Sequence, residues 1–239
     1  MNSTAQTSDQ LRLRLDSVRS RIEAAARRSK RDAKKIRLVA VSKTHPAEVV
    51  RQAIDAGVAD LGENRVQEAE SKIAEVGDGP HWHLIGHLQS NKARRAVQLF
   101  DMIHSLDSVS LARKLEHACR EENRATLPVL IQVDLGHEAT KSGAEERELP
   151  EICEALKGCE RLRLIGLMTL PPFFDDPEKT RPFFSKLRKL RDELRARGAF
   201  GDDEGELSMG MTHDFEVAIG EGATMVRVGT AIFGERTPR

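Results

Sequence analysis

A lysine follows a short apolar run near the N-terminus and could act as a nucleophile. Residues 38–41 are apolar without a break, which is typical of a strand buried on both faces. Lys43 comes two residues later, and Pro46 then ends the strand and can open a helix. An amine at the end of a buried strand loses solvation, which favours the neutral form that a Schiff base requires. The alternative is a lysine that reaches the rim and stays solvated.

Two segments near the C-terminus combine glycine with small hydroxylated residues. They are Ser208-Met209-Gly210-Met211-Thr212 and Arg227-Val228-Gly229-Thr230-Ala231. Glycine lets the backbone N–H groups approach an anion, and serine or threonine adds a hydroxyl donor. Both segments therefore predict phosphate binding, with ordinary turn chemistry as the alternative.

Arg227 lies inside an apolar strand, between Val226 and Val228. An unpaired buried charge is costly, so the guanidinium requires a partner. Either a carboxylate or a ring nitrogen of a bound cofactor could serve, and the sequence leaves both open.

Histidines and a basic cluster offer two further sites, which the sequence favours less. His81 and His83 share one face of a strand, and His87 follows, a spacing that can bind zinc. Because no third ligand stands beside them, a hydrogen-bonded histidine at the mouth of the fold is favoured. Lys92 and the two arginines at 94–95 could contact nucleic acid, but a solvated helix face explains them better.

Strands and helices alternate eight times along the chain. Strands are predicted at 38–41, 58–64, 82–86, 102–106, 128–134, 162–168, 206–209 and 224–228. Helices are predicted at 10–28, 46–56, 65–76, 91–99, 109–122, 145–156, 178–197 and 215–219. Such alternation indicates a parallel sheet with helical crossovers, and eight units fit a closed (β/α)8 TIM barrel with an extra N-terminal helix. We predict a single domain over 1–239, with residues 1–8 disordered.

The barrel places active residues at the carboxyl ends of its strands. The residues predicted there are Lys43, Asn64, His83, Asp134, Met168, Ser208 and Gly229.

Composition excludes several functional classes. Lys plus Arg is 38 and Asp plus Glu is 38, so no net field attracts nucleic acid or an anionic membrane. No apolar run is long enough to span a bilayer, and the N-terminus lacks the apolar core of a signal peptide. Cys119, Cys153 and Cys159 form no CxxC pair and are expected to be free thiols. The sequence predicts a cytoplasmic protein without nucleic-acid or membrane partners.

Several segments of the sequence, which include the candidate site residues, resemble those of a known family. Segments that match it in order are VSKTHP at 41–46, LGEN at 61–64, WHLIGHLQSNK at 82–92, KSG at 141–143, GLMTLPP at 166–172, LSMGMT at 207–212 and MVRVGTAIFG at 225–234. The chain resembles the YggS/PROSC family of pyridoxal 5′-phosphate (PLP) binding proteins. That family is similar to the barrel domain of alanine racemase without its second domain.

The resemblance implies a PLP site at the mouth of the barrel. Lys43 would carry PLP as an aldimine, and Arg227 would face the pyridine nitrogen. The residues near the ring would be Asn64, His83 and Met168. The phosphate would be held by Ser208, Gly229 and Thr230, with Met209, Gly210 and Met211 beside it. Thr212 stands where family members often carry serine, which keeps the hydroxyl, and leucine in LGEN replaces a phenylalanine.

The resemblance also implies a function in PLP homeostasis, namely storage or delivery of the cofactor without efficient catalysis. Apo PLP-dependent enzymes would be transient partners, and the protein would be a monomer or weak homodimer. The alternative is an amino-acid racemase or another fold type III PLP enzyme. A racemase of the alanine type needs a lysine and a tyrosine, and this sequence has no tyrosine. An arginine cannot accept the ring-nitrogen proton, which leaves PLP a weak electron sink. A class I aldolase that uses Lys43 also fits a bare barrel, but the resemblance disfavours it.

Overall fold

Eight parallel strands close into a barrel in which each strand pairs with the next and the last returns to the first. The computed structural model describes residues 2–77, 79–138 and 142–235, with side chains from Ser8 onward. The strands are β1 (Arg37–Val41), β2 (Asp60–Glu63), β3 (His81–Leu84), β4 (Met102–Leu106), β5 (Leu127–Val133), β6 (Leu162–Thr169), β7 (Glu206–Met211) and β8 (Met225–Val228). The predicted TIM barrel is confirmed.

Helices follow the strands and form the outer layer. They are α1 (Asn2–Arg28), α2 (Ala47–Asp55), α3 (Val66–Val76), α4 (Ala93–Leu99), α5 (Val109–Glu121), α6 (Leu149–Lys157), α7 (Arg181–Ala196), α8 (Phe215–Gly220) and α9 (Thr230–Phe233). Short 3-10 turns at Ser90–Lys92, Glu146–Glu148 and Pro177–Thr180 precede α4, α6 and α7. The short α9 was not among the predicted helices.

The N-terminal helix α1 lies in the outer layer, against α2, α8 and α9. It begins at Asn2, eight residues before the start that the apolar spacing predicts. Leu11, Leu15, Val18 and Ile22 are buried, as their spacing at three to four residues requires. Arg21 pairs with Glu216 of α8. The extra helix thereby fills the place between the first and last units of the barrel.

The interior of the barrel is partly apolar and partly polar. Met102, Leu130, Met168 and Met225 form a small buried cluster, separate from the large core between strands and helices. Polar side chains on the same inner faces form a second group, described below. Within the described ranges, no helix is long and apolar enough to cross a membrane.

Candidate functional site

A cavity of about 500 Å³ opens at the carboxyl ends of the strands. Of the predicted site residues it is lined by Lys43, Asn64, Met211, Arg227, Gly229 and Thr230. The other lining residues are Val41, Ile85, Gly86, His87, Gln132, Ser142, Leu170, Pro171, Thr212 and His213. A larger cavity of about 680 Å³ lies at the opposite end, where Arg37, Glu206 and Met225 begin their strands. Because no predicted site residue lines that second cavity, the candidate site is the first.

Lys43 lies in the tight connection between β1 and α2. The connection turns at Thr44, whose φ is +68°, in the left-handed region that β-branched residues rarely adopt. The Thr44 N–H donates to the Glu68 carboxylate of α3. On the other side of Lys43, the buried Ser42 donates its hydroxyl to Glu63 over 2.7 Å. Both neighbours of Lys43 are therefore fixed to groups outside the cavity.

Three hydrogen-bonding groups converge at the ends of β7 and β8. The Thr212 hydroxyl oxygen lies 3.3 Å from the Gly229 N–H nitrogen and 3.3 Å from the Thr230 hydroxyl oxygen. Gly210 turns the chain beneath them with φ +92°, and a Cβ there would lie 2.6 Å from that of Ala218. Two hydroxyls and a backbone N–H thus meet at one edge of the cavity, where the N–H donates to Thr212, and an anion bound there would replace these mutual bonds.

Arg227 brings a buried positive charge to the floor of the cavity. Arg227 is only 2% exposed. Nη1 donates to the Ser208 hydroxyl over 2.5 Å, and Nη2 donates to the Thr169 carbonyl over 2.9 Å. Burial lowers the pKa of the guanidinium to about 10, although the Asp214 carboxylate acts in the opposite sense. The group therefore stays charged at neutral pH, and its bonded partners among the described residues are a hydroxyl and a carbonyl rather than a carboxylate.

A hydrogen-bonded chain runs from Arg227 through the barrel interior. Ser208 Oγ lies 2.9 Å from His104 Nδ1, and His104 Nε2 lies 2.9 Å from His83 Nδ1. His83 Nε2 lies 2.9 Å from Asp60 Oδ1 at the far end. Arginine only donates, so Ser208 accepts from it, and the Asp60 carboxylate only accepts, so His83 donates to it through Nε2. With both imidazoles neutral, the bonds between them run in one direction: Ser208 donates to His104 Nδ1, and His104 Nε2 donates to His83 Nδ1. The chain thus joins a cation at one end to a carboxylate at the other.

The charges along this chain follow from burial. His104 is fully buried, and desolvation, with the nearby charges of Arg227 and Arg37, holds its pKa well below 6.5. Burial of Asp60 opposes ionisation, but the His83 hydrogen bond and nearby positive charge lower its pKa below the usual value. His104 is therefore neutral at pH 7, while Asp60 is ionised.

Comparison with known proteins places the chain in a family. Residues 13–237 match the family model for the alanine racemase N-terminal domain. The pyridoxal phosphate homeostasis protein of Aquifex aeolicus is 44% identical over 224 residues, covering 93% of this chain and 97% of that relative. The one from Pseudomonas aeruginosa is 45% identical over 223 residues, covering 92% and 93%.

This chain belongs to the pyridoxal phosphate homeostasis protein family. The structure of PipY from Synechococcus elongatus with PLP bound is similar as well, at 38% identity and a TM-score of 0.79. That match covers 94% of this chain and all of the other.

The residues predicted to bind PLP fall into two groups in the structure, those that line the cavity and those that do not. Lys43, Asn64, Met211, Arg227, Gly229 and Thr230 line the cavity. The others lie away from its lining and are His83, Met168, Ser208, Met209 and Gly210. His83 and Ser208 belong to the interior chain, and Met168 packs in the apolar cluster of the barrel. Met209 faces the outer core between strands and helices.

The remaining sequence predictions fall beside the site. His81 is exposed at the start of β3, and His87 pairs with Asp107 over 3.3 Å at the cavity rim. The described residues contain no group of three or more His, Cys, Asp or Glu that could hold a metal. In the KSG segment, the Ser142 carbonyl accepts from the buried Gln132 side chain, and Lys141 lies outside the described residues.

Sequence reasoning assigned no role to Gln132, and it placed Thr212 in a phosphate-binding segment without naming it as a ligand. The strand predicted at 206–209 extends to Met211, so Ser208 is an interior strand residue and Thr212 stands at the strand end. The signal that could have found Thr212 is its position: the first hydroxyl beyond the end of a barrel strand lies at the mouth.

Proposed function

We propose that this chain binds PLP for homeostasis of the cofactor, held by a Schiff base between the PLP aldehyde and the Lys43 amine. The bond forms when the amine condenses with the aldehyde and one water leaves. The observation that carries the proposal is one cavity lined by Lys43, Arg227 and the converging Thr212, Gly229 and Thr230 donors. Its volume lies within the range of roughly 300–1,000 Å³ usual for small-molecule sites.

The donor set fits the three functional groups of PLP. Hydroxyls and a backbone N–H suit the phosphate, and an amine suits the aldehyde. A guanidinium has five N–H donors, and the described residues accept two hydrogen bonds from Arg227, so donors remain for a ring nitrogen. We propose that Thr212, Gly229 and Thr230 hold the phosphate, and that Asn64 and Met211 lie near the bound cofactor. Ser208 and His83 would support the site from below.

We also propose that the protein is not an efficient enzyme. Arg227 can donate to the ring nitrogen but cannot accept its proton, so the ring stays a weak electron sink. The sequence has no tyrosine to serve as the second base of an alanine-type racemase. Both ring nitrogens of His83 are engaged, by His104 and Asp60, so His83 is not available for that role.

The wider role that we propose is storage of PLP in the cytoplasm and its transfer to apo PLP-dependent enzymes. We propose one domain over 1–239 and a monomer or weak homodimer. Cys119, Cys153 and Cys159 are free thiols, as a reducing compartment favours. Light scattering would give the oligomeric state, and loss of PLP absorbance on mixing with an apoenzyme would measure transfer.

The deciding experiment is borohydride reduction of the PLP-loaded protein followed by peptide mass mapping. We expect the pyridoxyl mass on the peptide that contains Lys43, and its loss from that peptide in Lys43→Met. Lys114→Met, on α5, is the control and should label as the parent does. Pyridoxyl mass found only on other peptides would overturn the assignment. Proton exchange at Cα of amino acids, followed by NMR in deuterated water, would test for catalysis.

A further inference from the structure

A buried ion cluster lies behind the Lys43 segment, between the barrel and α3. Lys72 Nζ donates to the Ser42 carbonyl over 2.7 Å, to Glu63 Oε1 over 2.7 Å and to Glu68 Oε1 over 2.8 Å. These three bonds use all three protons of the ammonium. The Lys72 side chain is 7% exposed and that of Glu63 is fully buried. The positions of the Ser42 carbonyl and of the two carboxylates are therefore all fixed by bonds to the Lys72 ammonium.

The cluster holds the chain on both sides of Lys43. On one side, Lys72 binds the Ser42 carbonyl while Glu63 accepts from the Ser42 hydroxyl. On the other side, Glu68 accepts from the Thr44 N–H. The two peptide groups that flank the Lys43 side chain are thus tied to a single group of charges.

The hold on Thr44 stabilises a strained conformation. Four non-glycine residues in the described ranges have positive φ, and among Lys30, Thr44, Asn123 and His137 only Thr44 is β-branched. A residue held in such a region is strained, and the conformation persists only where its surroundings fix it. The bond from Thr44 N–H to Glu68 is such a constraint. Without it, the segment that carries Lys43 would relax toward ordinary backbone angles.

Stability alone is a poor explanation for this cluster. Glu63 Oε2 has no hydrogen-bond partner among the described residues, and an unsatisfied buried oxygen is costly. Buried ion pairs often contribute little net stability compared with apolar residues of similar size. What they do supply is a defined geometry, which a reactive lysine requires because small displacements of reacting atoms slow a reaction steeply.

We propose that Lys72, Glu63 and Glu68 are positioning residues that hold the Lys43 backbone so that its amine meets the PLP aldehyde. This inference rests on the function proposed above and deepens it. These three residues are not among those that line the cavity, and within the described part of the chain their side-chain hydrogen bonds go to the two neighbours of Lys43 and to one another rather than to the proposed phosphate donors. Its loss should therefore slow formation of the covalent bond while leaving noncovalent binding of the phosphorylated ring intact.

The variant that tests this is Glu68→Ala. It removes the hold on Thr44 while Lys72 keeps its bonds to Glu63 and Ser42, so the buried charges stay paired. Glu75→Ala is the matched control, because Glu75 lies on the same helix with a side chain 63% exposed. Two ligands are compared, namely PLP and 4′-deoxypyridoxine 5′-phosphate, which has the phosphate and ring but no aldehyde.

We expect Glu68→Ala to form the Schiff base ~10- to 100-fold more slowly than the parent, by stopped-flow absorbance. Its affinity for 4′-deoxypyridoxine 5′-phosphate should stay within about twofold of the parent, as should both properties of Glu75→Ala. Glu68→Gln keeps an oxygen that can accept from Thr44 and should recover most of the rate.

Three results would overturn this inference while leaving the proposed function in place. An unchanged rate in Glu68→Ala would exclude positioning while leaving the Lys43 assignment intact. If Glu68→Ala lost affinity for 4′-deoxypyridoxine 5′-phosphate by the same factor as it lost rate with PLP, the role of the cluster would be merely structural. Glu68→Gln as slow as Glu68→Ala would mean that carboxylate charge matters rather than the bond to Thr44. Absence of borohydride labelling at Lys43 in the parent would instead overturn the proposed function, and this inference with it.

Discussion

Ser208 Oγ and Arg227 Nη1 lie 2.5 Å apart inside the barrel, below the floor of the cavity. The serine accepts a hydrogen bond from the arginine and donates one to His104, so its hydroxyl is already engaged both as acceptor and as donor. A serine in a glycine-rich segment is an obvious candidate for a phosphate ligand. Its neighbour Thr212, at the end of the same strand, is the residue that the cavity exposes.

Valine in place of Thr212 or Thr230 should weaken PLP binding selectively. Each hydroxyl bonded to a charged oxygen is worth about 1.5–3 kcal/mol, which corresponds to roughly a ten- to hundredfold loss of affinity. Pyridoxal, which lacks the phosphate, should bind these variants and the parent about equally. Fluorescence titration with both ligands measures the difference, and an equal loss for pyridoxal would contradict the phosphate role.

Ser208→Ala is the contrasting variant, because the hydroxyl lies in the interior chain. It removes one of the two bonded partners that Arg227 has among the described residues, and one of the two of His104, which leaves Nη1 and Nδ1 unsatisfied at a cost of about 1–3 kcal/mol for a buried group. We expect a lower free energy of unfolding, and no preferential loss of PLP over pyridoxal. A selective loss of PLP affinity equal to that of Thr230→Val would return Ser208 to the phosphate site.

The neutral His104 makes stability depend on pH. Its folded-state pKa lies well below 6.5, so below pH 6.5 the unfolded chain binds a proton that the folded chain does not. Stability is therefore lost as pH falls from 6.5 toward the folded pKa, by up to about 1.4 kcal/mol per pH unit. His104→Gln removes this contribution, whereas His117→Gln, on the surface of α5, should retain it. Urea unfolding at about pH 7.5 and about pH 5.5 measures it, and equal losses in the parent and His104→Gln would refute it.

A substitution at Gly86 tests whether the segments that follow β2 and β3 must pack closely beside the cavity. A Cβ at this position would lie 2.3 Å from the Asn64 carbonyl oxygen, which is backbone and cannot rotate away. Gly86→Ala should lower the free energy of unfolding by about 1–3 kcal/mol and weaken PLP binding by displacing Asn64. Gly158→Ala is the control, because its Cβ would stay 3.5 Å from the nearest atom. Thermal unfolding compares the two, and equal midpoints would contradict the close approach.

Arg227→Glu tests the proposal that an arginine at the ring nitrogen keeps catalysis slow. A carboxylate can keep the ring nitrogen protonated and strengthen the electron sink, so the PLP-loaded variant should exchange Cα protons of L-alanine faster than the parent. Arg163→Glu, an exposed arginine of β6, is the control and should not change the rate. NMR in deuterated water follows the exchange. No gain in a loaded Arg227→Glu protein would point to the missing second base instead.

Much of the fold could be predicted because it depends on local patterns. Apolar runs of four to seven residues alternate with helical spacing, and eight such units admit few architectures. Lys43 was predictable for the same reason, as the first cation after a buried strand. The predicted strand at 206–209 ends two residues early, so the sequence alone did not show that Ser208 faces the barrel interior while Thr212 follows the strand end at the cavity.

The interior chain could not be predicted from local patterns. His83 and His104 face each other only because the closed barrel sets β3 beside β4, and Ser208 and Arg227 join them from strands more than 100 residues later. The left-handed turn at Thr44 was equally hidden, because threonine is a poor residue for that conformation. Both features arise from long-range contacts that hold residues against their local preferences.

The contact of α1 with α8 and α9 has a consequence for how the chain assembles. During synthesis α1 emerges before α8 and α9, yet the helix whose apolar stripe is Leu11, Leu15 and Val18 packs against these helices, some 200 residues later in the chain. The pairing of β1 with β8 joins strands of similar separation. Contacts of such long sequence separation form slowly, because a large loop must close before they contribute any stability. We therefore expect α1 to dock late in folding, and the barrel to close only when β8 pairs with β1.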